Sequence, residues 1–116
     1  MVTVYGIKNC DTCRKALKWL KAEGIEHQFH DFRKDGLDPT SLSRWVSEVG
    51  WEKLLNRRGA TWRGLSDEKR CGIDETKAEA LMLENPMLVK RPVFEAGNKI
   101  VVGYSAAEQQ ALNTAT

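Results

Sequence analysis

Apolar and polar positions in the first part of the chain follow a strand period and then a helix period. Residues 2–5 form a short β-rich run that ends at Gly6. From Asp11 to Glu23, apolar side chains recur at three- and four-residue steps, which predicts an amphipathic helix. A second strand is predicted from Glu26 to Phe32. This part of the chain therefore predicts a strand, a helix and a strand.

The middle of the chain, about residues 38–86, is predicted to be helical. Asp38 is a helix cap and Pro39 a first-turn proline, and apolar residues follow at helical spacing. Two short helices are predicted further on, one near Ser66 and one after Asp74. We interpret this region as a helical insertion.

The last third of the chain returns to a strand pattern. Residues 92–95 and 99–102 flank Ala96-Gly97-Asn98, which predicts a β-hairpin, and Ser105 is a candidate cap for a helix over residues 106–112. The resulting order is βαβ, a helical segment, then ββα. This order predicts an α/β thioredoxin-like fold with a mixed sheet, in a single domain over residues 1–116 that carries the insertion at about 38–86.

Composition limits the classes of function that fit. The 116 residues suffice for one domain that buries its own core. The net charge of +2 provides no concentrated positive field, so a nucleic-acid partner is not expected. Apolar runs are too short for a membrane span, and the N-terminus lacks a signal-peptide pattern. We therefore expect a cytoplasmic protein, and nothing in the sequence demands more than a monomer.

Two cysteines mark the candidate chemistry. Cys10 and Cys13 lie between the first strand and the first helix, with the spacing Cys-x-x-Cys. This spacing places the thiols on one side of a helical turn, within reach of a disulfide. In a reducing compartment such a pair beside a βαβ unit predicts redox chemistry. The helix N-terminus would lower the pKa of Cys10, which makes it the candidate nucleophile, with Cys13 as the resolving thiol.

Two alternatives to redox chemistry are a zinc site and an inert core pair. Zinc usually needs four ligands, and the remaining Cys71, His27 and His30 form no second pair, so no metal is expected. Buried inert cysteines are common in cores, but a strand–turn–helix junction is not their usual place. Cys71 is interpreted as a spectator. The two histidines receive no role, since three-residue spacing on a strand points them to different faces.

The segment Lys90-Arg91-Pro92 opens the third predicted strand. In thioredoxin-like folds a cis-proline at this place faces the active cysteine. Proline is also tolerated at the start of an edge strand, which is the simpler interpretation. With the fold argument, Arg91 is expected beside Cys10, where its guanidinium would stabilise a thiolate or bind an oxyanion.

Taken together, these features resemble the arsenate reductase family of the thioredoxin superfamily. The resemblance is carried by Tyr5-Gly6-Ile7-Lys8-Asn9-Cys10, the helical insertion and Lys90-Arg91-Pro92, and it runs from about residue 2 to 112. The stretch from Leu54 to Arg63 is most similar to the YffB-like branch, whose members are proposed to be glutathione-dependent thiol reductases. The resemblance implies no bound cofactor and glutathione as a co-substrate.

The family also implies roles for particular residues. Cys10 would be the nucleophile, and Arg91 would contact the oxyanion or glutathione. A further arginine would come from the insertion, either Arg58 or Arg57. Lys8, Asn9 and Pro92 would complete the site that binds substrate or glutathione.

Two departures from the glutathione-linked arsenate reductases separate the possible functions. Those enzymes carry a third arginine near the position of Gly103, and its loss should weaken an oxyanion site. They also lack a cysteine at the position of Cys13, whereas Spx-type regulators, which bind RNA polymerase, use such a pair as a redox switch. The leading hypothesis is a glutathione-dependent thiol–disulfide reductase; the alternatives are an arsenate reductase and a redox-sensing regulator.

Overall fold

A computed structural model of the chain describes residues 1–115, which form two compact units. One unit comprises Met1–Asp35 and the chain from Arg91 onward, and the other is Gly36–Lys90. The strands are β1 (Val2–Gly6), β2 (His27–Asp31), β3 (Val93–Ala96) and β4 (Lys99–Val102). The helices are α1 (Asp11–Ala22), α2 (Phe32–Asp35), α3 (Pro39–Val49), α4 (Trp51–Leu54), α5 (Ala60–Arg63), α6 (Asp67–Arg70), α7 (Glu75–Glu84) and α8 (Ala106–Ala115), with a 3₁₀ turn at Pro86–Leu88.

All four strands belong to one mixed sheet with the order β2-β1-β3-β4. The β1 strand pairs in parallel with β2 and antiparallel with β3, so that Val4 lies between Phe29 and Phe94. The β3 and β4 strands form an antiparallel hairpin. The predicted α/β class and the mixed sheet of a βαβ half and a ββα half are confirmed.

One face of the sheet packs against α1 and α8. Since side chains alternate along a strand, Val2 and Val4 of β1 point to the same face. The buried core on that face contains Ala16 and Leu20 from α1, Leu112 from α8, and Val2, Val4, Phe94, Ala96 and Val101 from the sheet. Burying a leucine-sized side chain contributes about 1.5–3 kcal/mol. This packing fixes the start of α1 at the end of β1, where the cysteine pair lies.

The Gly36–Lys90 unit consists of short helices with side-chain caps. Asp38 accepts a hydrogen bond from the Ser41 N–H at 3.1 Å, and Pro39 occupies the first turn of α3. Ser66 and Asp74 cap α6 and α7. The helices predicted at these caps are confirmed. That the two units together act as a single domain stays a prediction.

Two one-turn helices differ from the sequence prediction. The predicted strand Glu26 to Phe32 is one residue too long at each end, because β2 begins at His27 and ends at Asp31, and Phe32 begins α2. The Asp31 carboxylate accepts a hydrogen bond from the Arg33 N–H at 2.9 Å, which bends the chain away from the strand. The α5 helix was not predicted, since a single turn is too short to show a helical period.

Candidate active site

Cys10 lies at the junction between the sheet and α1. It is the N-cap residue of α1, with an extended backbone at φ −124° and ψ 117°. The side chain is half-buried, whereas Lys8 and Asn9 in the preceding loop are exposed. A cap position places the sulfur among the unpaired N–H groups and the positive dipole of the helix start. The N-terminal placement predicted for Cys10 is therefore observed.

Cys13 occupies the third position of α1 and is fully buried, with 0% of its surface exposed. Its sulfur packs against the backbone of Gly6, the last residue of β1. A Cβ built on Gly6 would lie 2.4 Å from the Cys13 sulfur. The second thiol therefore points inward, into the corner between β1 and α1, while Cys10 faces outward.

The pKa of Cys10 lies below its ordinary value. Burial alone raises the pKa, but several groups that stabilise the thiolate outweigh it. The thiol of Cys13 hydrogen-bonds to the Cys10 sulfur, the Cys13 backbone N–H also acts to lower the pKa, and the Arg91 guanidinium adds charge attraction and a further hydrogen bond. The lowered pKa favours the thiolate form of Cys10, which is the nucleophilic form of a cysteine.

The pKa of Cys13 moves in the opposite direction. Burial is the main cause and the neighbouring Cys10 acts in the same direction, so the pKa of Cys13 rises to about 12 although the Ile7 backbone N–H and Arg91 act to lower it. Near neutral pH, Cys13 thus holds its proton. The site pairs a thiol of lowered pKa, Cys10, with a buried thiol of raised pKa, Cys13.

Arg91 and Pro92 lie at the start of β3. Arg91 is half-buried, Pro92 is buried, and the peptide bond between them is cis. The Pro92 carbonyl accepts a hydrogen bond from the Gly103 N–H at 2.8 Å. Arg91 acts electrostatically on both sulfurs, so the structure brings together Cys10, Cys13 and Arg91.

The predicted arginines of the insertion lie in the Gly36–Lys90 unit. The Arg57 guanidinium stacks over the Trp51 ring, 5.2 Å from its centroid. The Arg58 N–H donates to the Asn56 amide oxygen at 3.1 Å. Both arginines line a pocket of about 260 Å³ together with Glu52, Leu55, Asn56 and Lys90. The participation of Arg58 or Arg57 in the chemistry at Cys10 stays a prediction.

Gly103 adopts a backbone conformation that favours glycine, with φ +92°. An arginine at this position would strain the chain, since left-handed backbone angles are rare for residues that carry a Cβ. The backbone at Gly103 thus disfavours an arginine at this position, where the resemblance to arsenate reductases implies one.

The close approach of Gly6 to the Cys13 sulfur is not predicted from the sequence, where Gly6 indicates only the end of the first strand. His27 and His30 lie on β2, where His27 bonds to the Ile25 carbonyl and His30 packs 5.0 Å from the Tyr5 ring. Cys71 is exposed in the other unit.

Within residues 1–115, no cluster of three or more His, Cys, Asp or Glu side chains is arranged to bind a metal, and no helix is long and apolar enough to cross a membrane.

Comparison with known proteins decides the family. The sequence model of the ArsC family matches residues 5–112, which is nearly the whole chain. This chain belongs to the ArsC family. Among curated relatives, an uncharacterized protein of Haemophilus influenzae is 47% identical, over 96% of this chain and 97% of its own length. The regulatory protein MgsR of Bacillus subtilis is 30% identical, over 92% of this chain and 86% of its own length.

Solved structures of ArsC-family proteins have the same fold. The YffB protein is 41% identical with a TM-score of 0.92, covering 97% of this chain and 98% of its own. An arsenate reductase (ArsC) related protein from Brucella melitensis is 49% identical with a TM-score of 0.77, covering 95% of this chain and 92% of its own. The predicted resemblance to the arsenate reductase family, including its YffB-like branch, is confirmed.

Proposed function

We propose that this ArsC-family protein is a glutathione-dependent thiol–disulfide reductase that acts through Cys10. One observation carries the proposal: Cys10 is partly exposed at the N-cap of α1 while Cys13 is fully buried beside it, a placement that lowers the pKa of Cys10 and raises that of Cys13. Such a pair provides a thiolate for attack and keeps the second thiol protonated until it is needed. No prosthetic group is proposed, because thiol exchange needs only the two sulfurs and an external thiol.

In the first step, the Cys10 thiolate attacks one sulfur of a substrate disulfide R–S–S–R′. A Cys10–S–S–R bond forms, the S–S bond of the substrate breaks, and R′–S⁻ leaves and takes a proton from solvent. Arg91 stabilises the thiolate before attack. Its fixed positive charge also suits a carboxylate-bearing partner such as glutathione.

The mixed disulfide is then resolved by Cys13 or by glutathione. If Cys13 attacks Cys10, a Cys10–Cys13 disulfide forms and R–SH leaves with the Cys13 proton. Consumption of the Cys10 thiolate favours this step, because it removes the neighbouring charge that raises the pKa of Cys13. Two glutathione molecules then restore the dithiol and become glutathione disulfide. In sum, R–S–S–R′ and two glutathiones give R–SH, R′–SH and glutathione disulfide.

Cationic side chains support glutathione as the reductant. Glutathione carries two carboxylates, and Arg91 is the cation held at Cys10. We assign Lys8, Asn9 and Pro92 to the same binding surface. Arg58 is proposed for the second carboxylate, as the family resemblance implies. A monomer in the cytoplasm, where glutathione keeps thiols reduced, fits this proposal.

The test is glutathione-driven turnover, followed as NADPH oxidation through glutathione reductase. A glutathionylated peptide and arsenate are offered separately to wild type, Cys10→Ser and Cys13→Ser, with Cys71→Ser as the matched control. We expect peptide turnover that disappears in Cys10→Ser and persists in Cys71→Ser. Arsenate turnover at a comparable rate would favour the arsenate reductase, despite Gly103. Consumption of neither acceptor would contradict glutathione chemistry.

A redox-sensing regulator is the second candidate function. The 30% identity to the regulatory protein MgsR, together with the Cys10–Cys13 pair, favours it over other non-enzymatic functions. Its test is binding to RNA polymerase with the reduced and the oxidised protein in parallel. A difference between the two states would support the regulator, and no binding in either state would exclude it.

A further inference from the structure

Gly6 is a glycine for reasons of space rather than of backbone conformation. It is the last residue of β1, is buried, and pairs in register with Asp31. The φ angle of Gly6 is not positive, so residues with a Cβ could also adopt its backbone angles. A Cβ at this position would lie 2.4 Å from the Cys13 sulfur, 3.5 Å from the Cys13 Cβ and 3.7 Å from the Phe29 ring.

We propose that Gly6 is a positioning residue for the cysteine pair: the missing Cβ leaves the space that holds the Cys13 sulfur in the orientation directed toward Cys10. The inference deepens the proposed thiol chemistry and rests on it.

The distances identify which atom must move if the space is filled. Carbon–carbon separations of 3.5 Å and 3.7 Å are ordinary contacts, so the Cys13 Cβ and Phe29 would tolerate the added methyl. The 2.4 Å separation from the sulfur is not tolerable. Because side chains occupy staggered rotamers, relief by rotation about the Cys13 Cα–Cβ bond moves the sulfur by about 3 Å. That rotation breaks the hydrogen bond from the Cys13 thiol to Cys10.

The loss of this hydrogen bond changes the pKa of Cys10, which a loss of packing contacts alone would not do. The Cys13 thiol is one of the groups that stabilise the Cys10 thiolate. Its loss shifts the protonation of Cys10 without any change at Cys10 itself. A purely structural role for Gly6 would lower stability and leave the titration of Cys10 unchanged.

The experiment measures the rate at which iodoacetamide alkylates Cys10 as a function of pH. All proteins carry Cys71→Ser, which removes the exposed thiol of the other unit. Gly6→Ala is compared with its parent, and the same change is made in a Cys13→Ala background to complete a double-mutant cycle. Alkylation needs no disulfide substrate, so a failure of this inference is distinguishable from a failure of the proposed reductase activity.

We expect Gly6→Ala to move the alkylation profile to higher pH and to slow the reaction on its acidic limb by roughly tenfold, since a hydrogen bond to a charged group is worth about that factor. In the Cys13→Ala background, where the clashing sulfur is absent, Gly6→Ala should change the profile little. The proposal would be overturned if Gly6→Ala and its parent had the same alkylation profile. It would also be overturned if Gly6→Ala shifted the profile equally with Cys13 present and in the Cys13→Ala background.

Thermal unfolding is measured for the parent, Gly6→Ala, Cys13→Ala and the double variant, so that the proposal is still tested if Gly6→Ala does not fold. Removal of the Cys13 sulfur should then restore folding to the double variant, because only ordinary contacts remain around the new Cβ. A double variant that is as unstable as the single Gly6→Ala variant would show that the space does not serve the sulfur, and would overturn the proposal.

Discussion

The buried Cys13 thiol should make the protein lose stability at alkaline pH. In the unfolded chain, Cys13 ionises near 9.0, whereas burial beside Cys10 raises its pKa in the folded protein to about 12. Between these values the folded state keeps a proton that the unfolded state has lost. The free energy of unfolding therefore falls as the pH rises through this window, and the loss is absent below pH 9.

The two pKa values of Cys13 set the size of this effect. From pH 9.5 to pH 10.5, the linkage relation gives a loss of about 1.2 kcal/mol in the free energy of unfolding. Cys10 has the opposite sign, because its pKa is lowered, but its contribution is nearly complete above pH 9. The net loss from the two cysteines together is about 1 kcal/mol.

Urea unfolding at the two pH values measures this loss, with a phosphine reductant present to keep the thiols reduced. Wild type is compared with Cys13→Ala, which removes the ionisable group, and with Cys71→Ser, which removes an exposed thiol. Other groups that titrate above pH 9.5 cancel in the comparison. Wild type and Cys71→Ser should lose about 1 kcal/mol more than Cys13→Ala. An equal loss in all three proteins would refute the assignment of Cys13 as a buried, protonated thiol.

Three further predictions follow from the fold and the site. Arg91→Met should raise the pKa of Cys10 and slow its alkylation at neutral pH, as a pH–rate profile with iodoacetamide would show. Gly103→Arg should lower the free energy of unfolding by roughly 1–2 kcal/mol, because φ is +92° there, and should not increase arsenate turnover; urea unfolding and the coupled NADPH assay check the two parts. Leu20→Ala, at a fully buried position between α1 and the sheet, should cost roughly 2–5 kcal/mol in urea unfolding.

The sequence predicts the elements well where local chemistry determines them. A helix cap acts within one turn of the chain. The α3 helix begins directly after its cap Asp38, with Pro39 in its first turn, and α7 begins directly after its cap Asp74. The placement of the Cys-x-x-Cys pair likewise predicts that Cys10 lies at a helix N-terminus, and α1 begins at the next residue.

The sequence does not predict features that depend on contacts between distant segments. The approach of Gly6 to Cys13 arises only when α1 packs on β1, and no local pattern marks it. The electrostatic effect of Arg91 on Cys10 likewise requires β3 to lie beside β1. For the second arginine, neither spacing nor periodicity distinguishes Arg57 from Arg58, which are adjacent in a polar loop.

The most direct test of the proposed function is to trap the covalent intermediate at Cys10. Cys13→Ser is incubated with a glutathionylated peptide in the absence of free glutathione, and the protein is digested and mapped by mass spectrometry. The account predicts a mixed disulfide on Cys10, with release of the other half of the substrate disulfide as a thiol. An unmodified Cys10, or modification confined to Cys71, would contradict the claim that Cys10 is the nucleophile.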